Sequence, residues 1–507
     1  MAATHMWLFD EAETALAKGA ALLPRASLRR GDFLCRRARL LLSVGRNTIA
    51  IQVVRDALTI PGLSAFALNL LGSVLLHASL PDKAIEVLTR AVTDDPEAGD
   101  AWFSLGRARE AIGDIDGAEA AYQASIDAKS HTGAHLALAR LKRWTADNNH
   151  VRQLLRTPTK NSGDRSRIGF ALFKEYDDLG QRDDAWGALE KANAAALDEI
   201  LPSIGGPWGE EGEAKAVRVA DFPHRREAAM VEAWKQHFPA ARFARPMPRR
   251  RSVMYAGPRR IFIVGLPRSG TTLIERILTA HSQVQALGEP QFFSVAVKRL
   301  SRIKVGGLLS TDIITAAADL DPQTIAQSYD HETAYMSDGS AFTIDKLPQN
   351  YLYTGLIRQA FPDAIIIHSR REPMDGLFGL FKIAMGADYP WIYRQEDLAA
   401  QYATYVDLMR HWRTCVPDMV DVSLEALIGD PETQIRALLE ACGLPFEEAC
   451  LMPHKTSGPI MTSSSAQMRA PINAQGVGAW RRYEAQLAPL REALYRSGHI
   501  DRNGNAI

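Results

Sequence analysis

Between residues 31 and 132 small and large apolar residues recur every 34 positions, and this period restricts the fold more than any other feature of the chain. Leu68, Leu71, Gly72, Ala84 and Leu88 are followed 34 residues later by Trp102, Leu105, Gly106, Ala118 and Tyr122. A looser copy precedes them in Leu34, Ala38, Leu41, Ala50, Val54 and Ala57. A unit of this length holds two helices and cannot bury its apolar face alone, so neighbouring units must stack. The small residues let the two helices of a hairpin approach closely. The large ones, Leu71, Leu88, Leu105 and Tyr122, fill the space between hairpins.

This pattern resembles the tetratricopeptide repeat. A weaker copy lies in FALFKEYDDLGQRDDAWGALEKANA, where Leu172, Tyr176, Ala185, Leu189 and Ala192 fit the template, and the polar stretch Asn148 to Arg167 is expected to interrupt the array. Residues 1–200 are therefore read as an α-helical solenoid. Arrays of this type generally bind protein segments, so the resemblance implies a concave groove for a polypeptide. Residues 201–257 change character: ILPSIGGPWGEEGE is rich in Gly and Pro, Glu213 to Phe238 reads as a helix, and RPMPRRRSVMYAGPRR is basic. They are read as a linker with one helix, its basic run solvated.

Lys plus Arg and Asp plus Glu both total 59, which removes any long-range pull toward nucleic acid or anionic membrane, so an anion site must be local. The four cysteines contain no CxxC pair, which argues against a disulfide framework or a cysteine-rich zinc site and for a reducing, cytoplasmic setting. The opening residues MAATHMWLFDEAE do not read as a secretory signal. Leu58 to Leu80 is uncharged and long enough to cross a bilayer, yet it contains Pro61, Gly62, Asn69 and His77, and the repeat accounts for its apolar positions.

A second signal lies at residues 261–272, IFIVGLPRSGTT. IFIV is a short apolar run suited to a parallel strand covered on both faces. Gly265 to Gly270 forms a turn, and Thr271, Thr272, Leu273, Ile274, Ile277 and Leu278 continue with helical spacing. Strand, glycine turn and helix start form the arrangement in which backbone N–H groups cradle an anion. A triphosphatase loop would place lysine after its second glycine. Here Thr271 stands there and Arg268 is the loop's cation, which fits a 5′ phosphate or phosphosulfate with no γ-phosphate and no required metal.

PRSGTTL resembles the 5′-phosphosulfate loop of sulfotransferases, enzymes that use 3′-phosphoadenosine 5′-phosphosulfate (PAPS) and release 3′,5′-phosphoadenosine (PAP). IIIHSRREPMDGLFGLF resembles the family's 3′-phosphate element. DPETQIRALLEACGLPFEEACL, TSSSAQMRAPIN and GVGAWRRYE resemble the C-terminal part of bacterial sulfotransferases with tetratricopeptide repeats, related to tyrosylprotein sulfotransferases. The resemblance implies an α/β P-loop-like domain with a central parallel sheet over residues 258–507.

It also implies roles. Arg268 would stabilise the leaving group, with Ser269, Gly270, Thr271 and Thr272 as donors to the 5′ phosphate. Glu289, seventeen residues beyond Thr272, matches the general base of tyrosylprotein sulfotransferases, and a helix-capping carboxylate is the bland reading. Lys346 in FTIDKLPQN matches a transition-state lysine, and pairing with Asp345 or another carboxylate is its bland reading. Arg371 matches the 3′-phosphate arginine. Gly379 replaces that element's serine, and Leu424 replaces the tyrosine of the YE-x-L element. Ser464, or its neighbours Ser463 and Ser465, matches the serine that contacts the sulfuryl group, and Arg469 reads as a further anion ligand. Trp480 reads as packing.

The function expected from these residues is PAPS-dependent sulfuryl transfer to a hydroxyl, with a peptide tyrosine presented by the array as one acceptor. A homodimer is compatible with the sequence. Two other readings compete. One is a repeat scaffold whose transferase domain has degenerated, which Gly379 and Leu424 favour. The other is a P-loop nucleotide kinase, against which Thr271 stands.

Overall fold

The computed structural model of the chain describes residues 9–128, 132–204, 222–244, 257–303, 308–456, 458–460 and 468–507. The repeat period folds as stacked helical pairs: α1 (Phe9–Ala21), α2 (Leu28–Ser43), α3 (Asn47–Leu58), α4 (Ala65–His77), α5 (Pro81–Asp94), α6 (Gly99–Ile112) and α7 (Ile115–Asp127). A Cβ on Gly72 would lie 2.5 Å from Leu88 Cγ, and one on Gly106 would lie 2.5 Å from Tyr122 Cδ1. The small residues of the repeat are therefore where helices touch. Leu34, Ala38, Leu41, Ala50, Val54 and Ala57 of the looser copy are all buried.

After α8 (Gly133–Leu141) the array is interrupted by a Thr145–Asn148 bridge and the short α9 (Val151–Arg156). The interruption ends earlier than its polarity suggests. Helix α10 (Ser162–Asp178) starts inside it, because the Asn161 side chain accepts from Asp164 N (2.8 Å) and caps the first turn. Helix α11 (Arg182–Ile204) completes that hairpin.

The connector differs from its reading as a linker. Its described helix, α12 (Phe222–His237), is core rather than spacer. Met230, Val231 and Trp234 share one face and are buried, with the Trp234 ring 5.9 Å from Tyr353 and 5.6 Å from Trp412. A polar-looking helix carrying one such stripe is an ordinary amphipathic element. The expected helix start at Glu213 and the run PRRR fall outside the described residues.

The sheet has five parallel strands in the order β2-β3-β1-β4-β5: β1 (Arg259–Gly265), β2 (Val284–Ala286), β3 (Phe342–Asp345), β4 (Ile365–Arg370) and β5 (Val420–Ser423). Helices α13 (Thr271–Thr279), α14 (Phe292–Ser301), α15 (Thr311–Ala318), α16 (Pro322–Thr333), α17 (Thr354–Ala360), α18 (Pro373–Phe381), α19 (Gln395–Cys415), α20 (Leu424–Gly429) and α21 (Pro431–Cys442) surround it. Central β1 is fully buried over Ile261 to Val264 and divides two layers. Ile261 and Ile263 pack toward α13 and α21, whereas Phe262 and Val264 pack toward α14, α17 and α19. Period-two alternation on a doubly covered strand produces this division.

The second core continues into the array, taking in Leu136, Phe170 and Trp186. Trp186 lies 5.8 Å from Phe381 and 5.7 Å from Tyr483, and Asn193 Nδ2 donates to Phe381 O (3.1 Å). All four cysteines are buried and free. Among the described residues no helix is long and apolar enough to cross a membrane.

Candidate active site

The loop from β1 to α13 is shaped by close approaches of backbone. Gly265 has φ +146° and a Cβ there would lie 2.6 Å from Ser369 O of β4. Gly270 has φ +101° and its Cβ would meet Leu424 Cδ1 at 2.8 Å. Between them Arg268 holds φ +70°, a left-handed conformation that costs a non-glycine residue about 1–2 kcal/mol. Neighbours hold it there. Arg371 Nη1 donates to Arg268 O (2.9 Å) and Ser369 Oγ donates to Ser269 O (2.8 Å).

Ser269, Thr271 and Thr272 are buried, and Ser269 Oγ has no hydrogen-bond partner among the described residues. The first turn of α13 adds N–H groups that no helical carbonyl can satisfy. Burial pushes Arg268 down to about 10, and the neighbouring Arg371 and Arg140 push in the same direction. This corner of the molecule therefore gathers positive charge around a loop rich in donors, which suits an anion.

A charged group lies behind the loop. The β2–β3 pairing is extended by Leu287 N to Ile344 O (2.8 Å) and Lys346 N to Gly288 O (2.9 Å), which carries Glu289 to Lys346. Lys346 Nζ pairs with Glu289 and lies 3.5 Å from Glu275 Oε2. Lys346 is fully buried, Glu275 nearly so, and the Glu289 side chain is 37% exposed. Burial alone would lower the lysine, but Glu275 and Glu289 outweigh it and hold Lys346 above its ordinary value. Burial raises Glu275 despite Lys346.

Asp345 is not the partner of Lys346. It accepts from Tyr329 OH and Asn350 Nδ2, each at 3.0 Å, and burial pushes it up to about 7. Glu275, absent from the expected set, sits one helical turn beyond Thr271 and so ties the loop to Lys346.

At the other end of the loop, Arg371 Nη2 donates to Gly476 O (2.6 Å), and its Nε is shielded without a hydrogen-bond partner among the described residues. Gly379 faces both arginines: its Cβ would lie 3.3 Å from Arg268 Cβ and 3.7 Å from Arg371 Nη1. The glycine thus gives room to the stem of Arg268. Leu424 packs on Gly270. Lys382, also unforeseen, follows α18 and lies over the Phe378 ring (4.8 Å); burial pushes it down to about 8.

Arg268, Ser269, Gly270, Thr271, Thr272, Arg371 and Gly379 thus meet at one end of β1 and β4, and Glu289 and Lys346 meet behind them. Arg469 is held by the array. Its Nη2 donates to Glu110 O (3.0 Å) and Ala111 O (3.2 Å), which engages it with the C-terminal carbonyls of α6. Ile460 N donates to Ala111 O (2.8 Å) at the same place. Ser464, with Ser463 and Ser465, lies outside the described residues. Trp480 is buried, and its backbone N–H donates to Asp375 Oδ1 (3.1 Å).

Residues 258–448 match the sulfotransferase family, and residues 35–98 and 69–131 match the tetratricopeptide repeat. An uncharacterized protein of Aquifex aeolicus (strain VF5) is 29% identical over 349 residues, 67% of this chain and 43% of that protein, so the chain spans less than half the length of this relative. Protein-tyrosine sulfotransferase 1 of Danio rerio is 23% identical over 278 residues, 48% of this chain and 73% of its own length. The crystal structure of sulfotransferase STF1 from Mycobacterium tuberculosis H37Rv is similar at 13% identity and a TM-score of 0.31, covering 60% of this chain and 91% of that one.

Proposed function

We propose, for a chain that joins tetratricopeptide repeats to a domain of the sulfotransferase family, transfer of a sulfuryl group from PAPS to an acceptor hydroxyl, with a polypeptide tyrosine as the acceptor. The observation that carries this reading is the buried Lys346 shared by Glu289 and by Glu275 of the helix that follows a donor-rich loop lacking the triphosphatase lysine. The site's chemistry fits the donor. Shielded Ser269 Oγ and Arg371 Nε are ready for anionic oxygens, and Gly265 and Gly270 leave a backbone cradle that a Cβ would fill. When bound, PAPS supplies the activated sulfuryl group.

Glu289, the exposed member of the pair, takes the proton of the acceptor hydroxyl. A phenol is a far weaker acid than a carboxylic acid, so in this proposal the proton leaves in concert with transfer. Lys346 turns from Glu289 toward the sulfuryl oxygens and keeps Glu275 as its counter-charge. Glu289 is thereby freed as base while the ammonium stays balanced. Arg268 and the amides of Ser269 to Thr272 steady charge on the leaving phosphate oxygen, and preorganised donors of this kind usually contribute most to catalysis. Arg371 holds the 3′ phosphate, exchanging Gly476 O for it. In this proposal residues 1–200 present the acceptor, residues 258–507 perform transfer, and the reduced cysteines suit the cytoplasm.

The test is thermal unfolding of the purified chain with nucleotide. PAP is expected to raise the melting temperature without magnesium, and ATP to do so poorly. Equal or greater stabilisation by ATP overturns the assignment.

A further inference from the structure

The repeat ends the first helix of its hairpins in the same way three times. Gly45, Ser79 and Gly113 stand 34 residues apart, and all three are left-handed, with φ of +70°, +60° and +90°. Each turn is closed by the same two backbone bonds. Gly45 N, Ser79 N and Gly113 N donate to Leu42 O, Leu76 O and Glu110 O, and Arg46 N, Leu80 N and Asp114 N donate to Leu41 O, Leu75 O and Arg109 O, all at 2.9 to 3.1 Å. Glycine is the ordinary residue at such a helix end, because a Cβ is penalised there. Of the three turns, the middle one departs from it.

The three turns also meet the transferase domain. A Cβ on Gly45 would lie 2.6 Å from Val295 Cγ1 of α14, and one on Gly113 would overlap the Arg469 guanidinium, so neither outer turn has room for a side chain. The middle turn has room. Ser79 Oγ would lie 3.9 Å from a Cβ on Gly288, the residue before Glu289, and Gly288 O accepts from Lys346 N (2.9 Å). Tyr335 fastens this turn in place: its hydroxyl donates to Ala78 O (3.0 Å) and accepts from Asn47 Nδ2 (3.5 Å), and its ring meets Phe292 of α14 edge-on at 6.5 Å. Ser79 is half-buried, and its hydroxyl makes no hydrogen bond among the described residues. Serine thus keeps a backbone strain that glycine would relieve, and brings an unengaged hydroxyl to the segment that carries Glu289. Strain retained at such a place points to a task for the side chain.

We propose that Ser79 is an acceptor-binding residue: the repeat array holds its hydroxyl beside the Gly288–Glu289 segment to hydrogen-bond the backbone of the polypeptide whose tyrosine is sulfated. This rests on the polypeptide reading above. A hydroxyl donates and accepts, so it can serve a peptide carbonyl or N–H whatever the neighbouring side chains are. The middle hairpin is then a wall of the acceptor site, and Tyr335 fixes its distance from Glu289.

Transfer from sulfur-labelled PAPS to a random-sequence pool of N-acetylated tyrosine peptides tests this in the full-length protein, with Ser79→Gly and Ser79→Ala. Loss of one neutral hydrogen bond predicts an apparent peptide KM raised about 3- to 10-fold in both variants, with kcat and PAP affinity as in wild type. Ser79→Gly should melt at or above the wild-type temperature, since it takes the residue of the outer turns, so that weaker peptide binding there is not a loss of fold. Wild-type KM in Ser79→Gly overturns the assignment. A fall in kcat at unchanged KM also overturns it, in favour of a residue that only supports the Glu289 segment. A lowered melting temperature in Ser79→Gly removes the argument from strain and overturns it as well. Absence of label in the peptides when the wild-type protein binds PAP overturns the polypeptide reading itself, and is seen before any variant is compared.

Discussion

Lys346 is buried and balanced by two carboxylates of unequal exposure, and the proposed function makes the more exposed one, Glu289, the base. Glu289→Gln keeps the shape of the site and removes the base. It should lower kcat about 10²- to 10⁴-fold while leaving PAP affinity nearly unchanged, as read by turnover and titration on the same preparation. Loss of PAP binding instead would make Glu289 a structural residue. Glu289 and Lys346 were legible because each stands in a short motif with a family counterpart. Glu275 was not, because a glutamate in LIERIL looks like any helix charge until the fold brings β3 beside it. Arg371 and Gly379 were legible as positions. That Gly379 leaves space for the stem of Arg268 required the packing of α18 on the loop.

Among elements, the hairpins of the array are set by their glycines, and not all glycines do the same thing. A Cβ on Gly72 would overlap Leu88 at 2.5 Å, whereas Gly187 in α11 has nothing within 4 Å. Gly72→Ala should destabilise by about 1–3 kcal/mol through overpacking. Gly187→Ala should stabilise by about 0.5–1 kcal/mol, since only backbone freedom is lost. Denaturant unfolding of the two variants measures both signs. The 34-residue period made the first of these contacts readable, because periodicity reports which residues face a neighbouring helix. Helix α12 was legible as a helix but its packing was not, because its polar faces dominate its composition and its buried stripe of Met230, Val231 and Trp234 gains meaning only with Trp412 opposite.

For the whole molecule, the join between array and transferase is the part that the sequence could not disclose. Periodicity speaks of neighbours along the chain, whereas this join is made by residues hundreds of positions apart. Arg469 exemplifies it: expected at an anion, it is engaged with the last carbonyls of α6, where a cation also meets the negative end of the helix dipole. Arg469→Ala should therefore lower stability by about 1.5–3 kcal/mol and leave PAP affinity as it was. An anion ligand would give the reverse, weaker PAP at constant stability, and thermal unfolding with and without PAP separates the two.

Tyr483 OH donates to Asp177 at 2.8 Å across 306 positions of chain, and Tyr483 also lies against Trp186. A ribosome making this protein releases α10 and α11 long before the residue that covers them. The exposed face of that hairpin must wait for 306 further positions of chain before its partner arrives. Contacts of such separation slow folding and leave apolar surface open meanwhile. The second half of the array is thus the place where a nascent chain would need protection until Tyr483 emerges.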